Sequence, residues 1–326
     1  MVPGPDSSNE ARRKCRVVFL GGLGRSGTTL LERILGELPG VTAGGEFVHL
    51  WKRGLLDDEL CGCSRTFSQC PFWQGVGRVA FGNWDRVDIT RMLELQRRVE
   101  RTRHIAVLAG PHLRAERAAE VKEYAGQYER IYRAAAAVSG ESVVVDSSKH
   151  ASLAFCLRWL PDLDLRVIHV VRDSRAVAYS WTKEVLRPEA VPSPQHMTRY
   201  SPVTSALLWD GHNAAFELLA HCGVPVLRVR YEDLTCDPAG TLGRIASFAG
   251  VSVPTSLSDR LATGVVDLAR SHTVAGNPMR FRTGAVPIRQ DDDWKASLSA
   301  HDRRTVFGLT APLLRHYGYL AVREAR

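Results

Sequence analysis

Two segments of the sequence carry residue types that bind phosphate or sulfate groups. The first begins at Val17, where a short apolar run passes into residues 22–29 (GLGRSGTT) and then into a helical pattern of leucine and isoleucine. Glycines let the backbone curl so that several N–H groups point into one hollow, and the N-terminus of the following helix adds partial positive charge. This order of strand, loop and helix predicts a site for a phosphate or sulfate dianion.

The spacing of this loop is close to that of a P-loop, but one residue type differs. Gly22, Gly27 and Thr29 fit the pattern G-x-x-x-x-G-K-[ST], whereas Thr28 stands where the pattern has lysine. A nucleoside triphosphatase uses that lysine on the β- and γ-phosphates. The sequence therefore favours an anion-binding loop, with Arg25 as its cation, over a nucleotide-dependent phosphotransferase.

The second segment follows another buried strand. Residues 165–171 (LRVIHVV) are apolar and β-branched, Arg172 comes directly after them, and Ser180 follows eight positions later. A guanidinium group and a hydroxyl group together bind a second phosphate well. The alternative is an exposed arginine beside a helix cap made by Asp173 and Ser174.

Together these segments resemble the sulfotransferases that use 3′-phosphoadenosine 5′-phosphosulfate (PAPS). The family's [KR]-[ST]-G-[ST]-T loop is matched by residues 25–29, and its R-[DN]-x-[RK]-x-x-x-x-S motif by Arg172 and Ser180. Residues 229–234 (VRYEDL) and 293–295 (DWK) resemble two further segments of the family. The resemblance covers nearly the whole chain in order, except residues 50–140.

The resemblance implies a fold, a co-substrate and the residues that hold it. The fold is a three-layer α/β sandwich with a mainly parallel sheet, similar to that of P-loop NTPases. The reaction transfers a sulfonate group from PAPS to an acceptor hydroxyl of a carbohydrate, lipid or natural product and leaves adenosine 3′,5′-bisphosphate. A non-catalytic nucleotide-binding protein is the remaining alternative. The residues expected to contact the co-substrate are Gly24, Arg25, Ser26, Gly27, Thr28, Thr29, Arg172, Ser180, Tyr231, and Arg280 or Arg282 of the basic loop 276–284.

Three residues are expected to perform the chemistry. Glu46 matches the position of a glutamate that acts as general base in the carbohydrate and tyrosylprotein branches of the family. Lys149 resembles the family lysine that steadies negative charge as the bond to sulfur breaks. His150 occupies roughly the place of the histidine base in the cytosolic branch, although the order here is Ser-Lys-His. We expect Glu46 to be the base and keep His150 as the second candidate.

The seven cysteines and the acidic run 291–293 raise the question of a metal. Cys61, Cys63 and Cys70 offer three ligands, and zinc needs a fourth, for which His49 is one candidate. We interpret the three as reduced structural thiols, with a disulfide or a metal as alternatives, and the aspartates as a solvated acidic turn. No metal is expected.

Composition agrees with one enzyme domain. The 326 residues are 44% hydrophobic and 24% charged, with a net charge of +8 that suits an anionic ligand. The basic residues form no tract interleaved with aromatics, so nucleic acid is not expected as a partner. We predict a disordered lead over residues 1–15 and one domain over residues 16–326. Residues 50–140 are read as a mostly helical insertion between the first two strands that binds the substrate or covers it as a lid.

The cellular setting follows from the same reading. No targeting segment is visible, and the apolar run from Val17 is too short to span a membrane. We expect a bacterial, cytoplasmic protein, with a homodimer left open as its oligomeric state.

Overall fold

The computed structural model describes residues 14–187 and 195–320. Its strands are β1 (Cys15–Gly21), β2 (Val41–Ala43), β3 (Val143–Lys149), β4 (Leu163–Val171), β5 (Leu186–Arg187), β6 (Gln195–His196), β7 (Val226–Arg230), β8 (Val265–Leu268) and β9 (Gly284–Pro287). Its helices are α1 (Thr28–Leu35), α2 (Pro71–Phe81), α3 (Ile89–Val99), α4 (Ile105–Leu108), α5 (Ala115–Ser139), α6 (Ala151–Leu157), α7 (Ser174–Thr182), α8 (Pro202–His221), α9 (Tyr231–Cys236), α10 (Pro238–Ala249), α11 (Thr255–Ala262), α12 (Trp294–Ser297) and α13 (Ala300–His316).

A five-stranded parallel sheet forms the centre of the molecule, in the order β2-β3-β1-β4-β7. Val17 of β1 lies opposite Val144 of β3 and Leu165 of β4, so the central strand is paired along both edges. Parallel strands buried on both faces favour continuous apolar runs over alternation, which explains the runs of valine, leucine and isoleucine in these segments. The predicted α/β class with a mainly parallel sheet is confirmed.

Helices cover both faces of this sheet. Val17 and Phe19 belong to the core on one face, where α5, α6 and α8 pack. Val18 and Leu20 point to the opposite face and pack with α1 and α10. Alternate residues of one strand thus enter two separate cores, as the period of a strand requires. The result is the predicted three-layer sandwich.

The segment 50–140 is mostly helical and lies between β2 and β3. The strand β2, Val41–Ala43, precedes it, and its three residues are too few to show a pattern in the sequence. Its longest helix, α5, packs directly on the sheet, with Tyr124, Tyr128 and Tyr132 fully buried. These tyrosines are core residues, so this segment supplies most of one layer of the sandwich.

The two ends of the described chain bear on the domain prediction. β1 begins at Cys15, one residue inside the predicted lead, whose first thirteen residues lie outside the described residues. The last helix of the described chain is α13, in which Val306 and Leu314 are buried. Across residues 14–187 and 195–320, we find no helix with the length and apolar character needed to cross a bilayer.

Candidate active site

The loop between β1 and α1 has the features of an anion-binding loop. Gly27, which precedes the helix, has φ 88° and provides no side-chain cap, so the first N–H groups of α1 are not occupied by a capping side chain. A Cβ at Gly27 would lie 2.4 Å from the ring of Tyr231, which fixes glycine at this position. Arg25 also adopts a left-handed conformation, with φ 74°. For a residue other than glycine this conformation is strained, as is common at functional sites.

A cavity of about 650 Å³ opens beside this loop. It brings together most of the residues that the sequence singled out, although they come from five separate parts of the chain. Those lining it are Gly24, Arg25, Gly27, Thr28, Thr29, Glu46, Lys149, His150, Arg172, Ser180 and Tyr231. The Ser26 side chain is buried behind the loop instead. All lie near the carboxyl ends of the parallel strands, where ligands of open α/β sheets bind.

Arg172 joins the two predicted anion-binding segments. Its guanidinium donates to the backbone carbonyl of Arg25 at 3.1 Å and stacks over the ring of Tyr231 at 4.5 Å. Tyr231 in turn donates its hydroxyl to the carbonyl of Arg289 at 3.1 Å. Asp173 caps the following helix by accepting from the amide of Arg175 at 2.9 Å. The helix cap considered as an alternative reading therefore exists alongside the cavity-facing position of Arg172.

Several nitrogens of the two arginines have no hydrogen-bond partner. Nε and Nη2 of Arg25 and Nε of Arg172 are buried and unpaired in the described part of the chain. A buried guanidinium nitrogen without an acceptor is costly, and an anion would satisfy it. This observation fits a ligand that presents phosphate oxygens to both arginines.

An ion pair between Lys149 and Glu46 lies in the same cavity. The Lys149 ammonium donates to Oε1 of Glu46, and His49 Nε2 lies 3.3 Å from Oε2 of the same carboxylate. Burial by itself would raise the pKa of Glu46, but the charges and hydrogen bonds of Lys149 and His49 outweigh it and hold that pKa well below its ordinary value. Lys149 has φ 66°, a strained conformation that aims its side chain at this carboxylate.

His150, the second candidate base, has a carboxylate partner of its own. Its Nδ1 lies 3.0 Å from Oε1 of the buried Glu100, which also accepts from Ser152 Oγ at 2.9 Å. Burial would lower the pKa of His150, but the hydrogen bond and charge of Glu100 overcome this and raise it. A carboxylate that holds one ring nitrogen fixes the tautomer and orientation of the imidazole.

The structure does not bring Arg280 or Arg282 into the cavity. Arg280 is buried, and its guanidinium donates to the carbonyls of Thr273 and Leu60 at 2.8 Å. Arg282 is exposed and does not line the cavity. The basic loop reaches the cavity through its uncharged residues Gly276, Asn277 and Met279. The sequence pattern could not show that one arginine of this loop donates to backbone carbonyls, because that contact joins distant parts of the chain.

The acidic run does not form a metal cluster. Asp291 Oδ2 lies 3.3 Å from Nη2 of Arg172, whereas Asp292 pairs with Lys295 at 2.8 Å. Asp293 precedes α12 and lies 3.4 Å from the Lys183 ammonium. Each aspartate therefore pairs with at least one cation, Lys183 being shared by Asp291 and Asp293, and only Asp291 lines the cavity.

The cysteine cluster lies beside a different histidine from the one considered in the sequence. His49 is engaged with Glu46, whereas His272 lies next to Cys61, Cys63 and Cys70. All seven cysteines are free thiols.

Other residues of the cavity carried no sequence signal. They include Arg53, Trp181, Tyr200 and His212. The Trp181 indole donates to the carbonyl of Gly24 at 3.1 Å, which ties α7 to the anion-binding loop. His212 is half-buried on α8, and burial lowers its pKa to about 4, so this imidazole is neutral near pH 7. No local motif marks these positions, because helices that are distant in sequence bring them together.

A second, larger cavity of about 780 Å³ is lined by a separate set of residues. It contains Arg175, Arg303 and Trp294 but none of the loop residues 24–29. The chemistry predicted from the sequence therefore belongs to the smaller cavity.

Comparison with known proteins identifies the family. The sequence model of the sulfotransferase family matches residues 17–255, so the chain belongs to that family. Its members are transferases that move a sulfonate group to an acceptor. No curated protein matches this chain significantly.

The solved structures that resemble this chain share little sequence with it. The sulfotransferase domain from the Synechococcus PCC 7002 olefin synthase is 21% identical, with 93% of this chain and 95% of that chain covered and a TM-score of 0.49. The sulfotransferase STF9 from Mycobacterium avium is 13% identical, with 95% and 78% covered and a TM-score of 0.47. The mouse sulfotransferase SULT7A1, complexed with PAP, is 14% identical, with 92% and 85% covered and a TM-score of 0.42.

Proposed function

We propose that this sulfotransferase takes its sulfonate group from PAPS and transfers it to a hydroxyl of a small molecule, glycan or lipid. The observation that carries the proposal is the pair of arginines, Arg25 and Arg172, which line one cavity and have three buried nitrogens without hydrogen-bond partners: Nε and Nη2 of Arg25 and Nε of Arg172. A ligand with phosphate groups at two ends of an adenosine would satisfy both.

Two different sets of cavity residues bind the two ends of the ligand. The loop 24–29 and the N-terminus of α1 bind the 5′-phosphosulfate through backbone N–H groups, hydroxyls and Arg25. Arg172 and Ser180 bind the 3′-phosphate, and the ring of Tyr231 packs against the guanidinium of Arg172. We assign no contact with this ligand to Arg280, because its guanidinium is occupied by backbone carbonyls.

Glu46 and Lys149 supply the chemistry. As the bond between the acceptor oxygen and sulfur forms, the bond between sulfur and the 5′-phosphate oxygen breaks, and the acceptor proton passes to the Glu46 carboxylate. The low pKa of Glu46 keeps its carboxylate ionised but also makes it a weak base while Lys149 is paired with it. Glu46 becomes a stronger base as the Lys149 ammonium shifts from this carboxylate to the leaving oxygen. Lys149 stabilises the charge that develops on the leaving oxygen.

His150 is a second candidate for the base. The carboxylate of Glu100 orients its ring, an arrangement that suits a general base. In that case Glu46 would serve to position Lys149.

The absence of a disulfide bond among the seven cysteines fits a reducing compartment. Seven cysteines without a disulfide are typical of proteins kept reduced in the cytoplasm. We therefore propose that the enzyme acts there, as a single domain over residues 16–326.

Calorimetry tests the ligand assignment. Adenosine 3′,5′-bisphosphate should bind the wild-type protein clearly more tightly than AMP, and Arg172→Ala should remove most of this preference. A charged hydrogen bond contributes about 1.5–3 kcal/mol, which corresponds to roughly ten- to 150-fold in affinity. AMP affinity should change little, which shows that the variant is folded.

The matched control is Arg244→Ala, an exposed arginine on α10 outside the cavity. Equal binding of AMP and the bisphosphate by the wild-type protein would refute the assignment of PAPS. Transfer of labelled sulfonate from PAPS onto a panel of sugar, lipid and phenolic hydroxyls would then identify the acceptor class.

A further inference from the structure

Four metal-binding side chains meet at a point outside the proposed active site. Cys61 and Cys63 lie in one turn, Cys70 directly precedes α2, and His272 comes from a loop about 200 residues later in the chain. One donor atom from each of the four lies within 4.8 Å of every other. The three cysteines are buried and the histidine is half-buried.

The distances in the cluster match those of a tetrahedral zinc site. Zinc binds sulfur at about 2.3 Å and nitrogen at about 2.0–2.1 Å, so neighbouring donors of a tetrahedron lie roughly 3.5–3.8 Å apart. The sulfurs of Cys63 and Cys70 are 3.7 Å apart, and Cys70 Sγ lies 3.2 Å from Nδ1 of His272. No pair of donors is more than 4.8 Å apart, which exceeds a tetrahedral edge by about 1 Å, so small side-chain movements would bring all four to one ion.

The backbone around the cluster is built to hold this arrangement. The amide of Gly62 donates to the carbonyl of Thr273 at 2.9 Å, which joins the cysteine turn to the histidine loop. A Cβ at Gly62 would lie 2.5 Å from Thr273 Oγ1, so the close approach requires glycine. Ser64 closes the turn with φ 68°, and its amide donates to the carbonyl of Cys61 at 2.8 Å.

The histidine is also fixed by its neighbours. The ring of Phe72 stacks on the imidazole at a centroid distance of 5.2 Å, and the Trp73 indole donates to the carbonyl of His272 at 2.9 Å. Metal ligands are commonly oriented by such surrounding contacts.

We propose that Cys61, Cys63, Cys70 and His272 bind one structural zinc ion. Three sulfur ligands and one imidazole in a tetrahedron favour zinc over magnesium or calcium, which take oxygen ligands. Four protein ligands leave no open position, so the ion binds no substrate and takes no part in sulfonate transfer.

The zinc would fix one wall of the proposed active site. Two residues beyond His272, Val274 pairs with the segment that carries the candidate base: its carbonyl accepts from the amide of Glu46, and its amide donates to the carbonyl of Gly44, both at 2.8 Å. Gly276, Asn277 and Met279 then line the cavity. This second part of the inference rests on the proposed function, whereas the metal site itself does not.

Metal analysis of the purified full chain tests the site. After growth with added zinc and dialysis against a weak chelator, the wild-type protein should retain one zinc per chain. Replacement by cobalt(II) should give the intense thiolate charge-transfer and visible bands of a tetrahedral thiolate site. A folded wild-type protein that holds no zinc and gives no such cobalt spectrum would overturn the proposal, whatever its activity.

Substitutions separate the site from ordinary thiol effects. His272→Ala should lower zinc affinity at least tenfold, whereas His272→Cys, which keeps a zinc ligand, should retain the ion. Cys222→Ser is the control, because this half-buried cysteine lies outside the cluster and should leave the metal content unchanged. Zinc loss in the control but not in the His272 variant would contradict the assignment.

A separate measurement tests the connection to the active site. Removal of zinc should weaken binding of adenosine 3′,5′-bisphosphate several-fold, and readdition should restore it. Stable zinc binding with no effect of its removal on bisphosphate affinity would refute the role of the ion in fixing the cavity wall. Absence of bisphosphate binding in both forms would instead refute the proposed function and leave the metal site intact.

Discussion

At the residue scale, Glu46 and His150 differ in the partners that hold them. Glu46 contacts two groups with basic nitrogens, Lys149 and His49, and its pKa lies far below the ordinary range. His150 contacts the carboxylate of Glu100, and its pKa is raised. Both candidate bases therefore reach the cavity, but they should respond to pH in different ways.

Substitution distinguishes their roles. Glu46→Gln keeps the size and hydrogen bonding of the side chain but cannot accept a proton, so we expect kcat to fall about 10²–10⁴-fold with bisphosphate affinity nearly unchanged. His150→Ala should cost less, because it alters only the surroundings of the acceptor. Steady-state kinetics with an acceptor from the transfer screen measures both effects.

The pH profile gives the second readout of this prediction. A base works only when deprotonated, so a rate that depends on Glu46 should stay flat across the neutral range and into mild acid. A rate that depends on His150 should instead fall as the pH drops through its raised pKa. A collapse with His150→Ala, a near-normal rate with Glu46→Gln and an acid limb near neutral pH would together reverse the two roles.

At the element scale, the turn before α12 places the carboxylate of Asp291 beside the proposed 3′-phosphate site. Asp291 Oδ2 lies 3.3 Å from Arg172 and 3.5 Å from Lys183. Burial would raise the pKa of Asp291, but these two cations outweigh it and lower the pKa. The carboxylate is therefore charged at neutral pH and competes with a phosphate for Arg172.

Removing this charge should strengthen ligand binding. For Asp291→Asn we expect affinity for adenosine 3′,5′-bisphosphate to rise about fivefold, since a partly exposed ion pair contributes about 1 kcal/mol. Asp292→Asn is the matched control, because this neighbour pairs with Lys295 instead. Weaker binding by Asp291→Asn in calorimetry would show that Asp291 holds Arg172 in place and does not compete with the ligand.

Helix α1 carries a buried acid that should make stability depend on pH. Burial raises the pKa of Glu32 to about 7, although Ser147 donates to its carboxylate at 2.8 Å and Lys149 opposes the shift. The folded state therefore binds this proton more tightly than the unfolded state, whose pKa is near 4.5. The protonated Glu32 side chain therefore adds to the free energy of unfolding in full below pH 4.5. This contribution is lost as the pH rises to about 7.

Glu32→Gln should prevent this loss of stability at high pH, because glutamine does not ionise. We expect the variant to unfold with a free energy about 2–3 kcal/mol higher than the wild type at pH 8, and with a much smaller difference near pH 5. Urea denaturation at the two pH values measures this, with the exposed Glu116→Gln on α5 as control. A variant that is less stable at pH 8 would mean that the ionised carboxylate contributes to the fold.

Sequence patterns predicted those elements whose signals are local. The strand, loop and helix over residues 15–35 could be read because glycines and an apolar run are adjacent in the chain. β2 was missed because three residues form no period. His272 as the neighbour of the cysteines, and the burial of Arg280 among carbonyls, depend on contacts between residues about 200 positions apart, which spacing does not reveal.

At the scale of the whole molecule, the cavity joins the first and last parts of the described chain. The loop 24–29 follows the central strand, Arg172 follows the neighbouring strand β4, and Gly276 to Asp291 come from the segment after β8. A ligand bound between them would add to the contacts that already join these segments, such as the hydrogen bond from Arg172 to the carbonyl of Asp291 at 3.1 Å.

Hydrogen exchange should report this linkage. When adenosine 3′,5′-bisphosphate is added, we expect slower amide exchange both in residues 24–30 and in residues 274–293, because binding the ligand lowers the free energy of the closed state relative to locally opened states. Helix α3 lines no part of the cavity and should exchange at an unchanged rate. AMP, which lacks the 3′-phosphate, should protect residues 24–30 but have much less effect on residues 289–293 near Arg172. Equal protection of both segments by AMP and by the bisphosphate would contradict the division of the cavity into two anion sites, since protection would then not depend on the phosphate that Arg172 is proposed to bind.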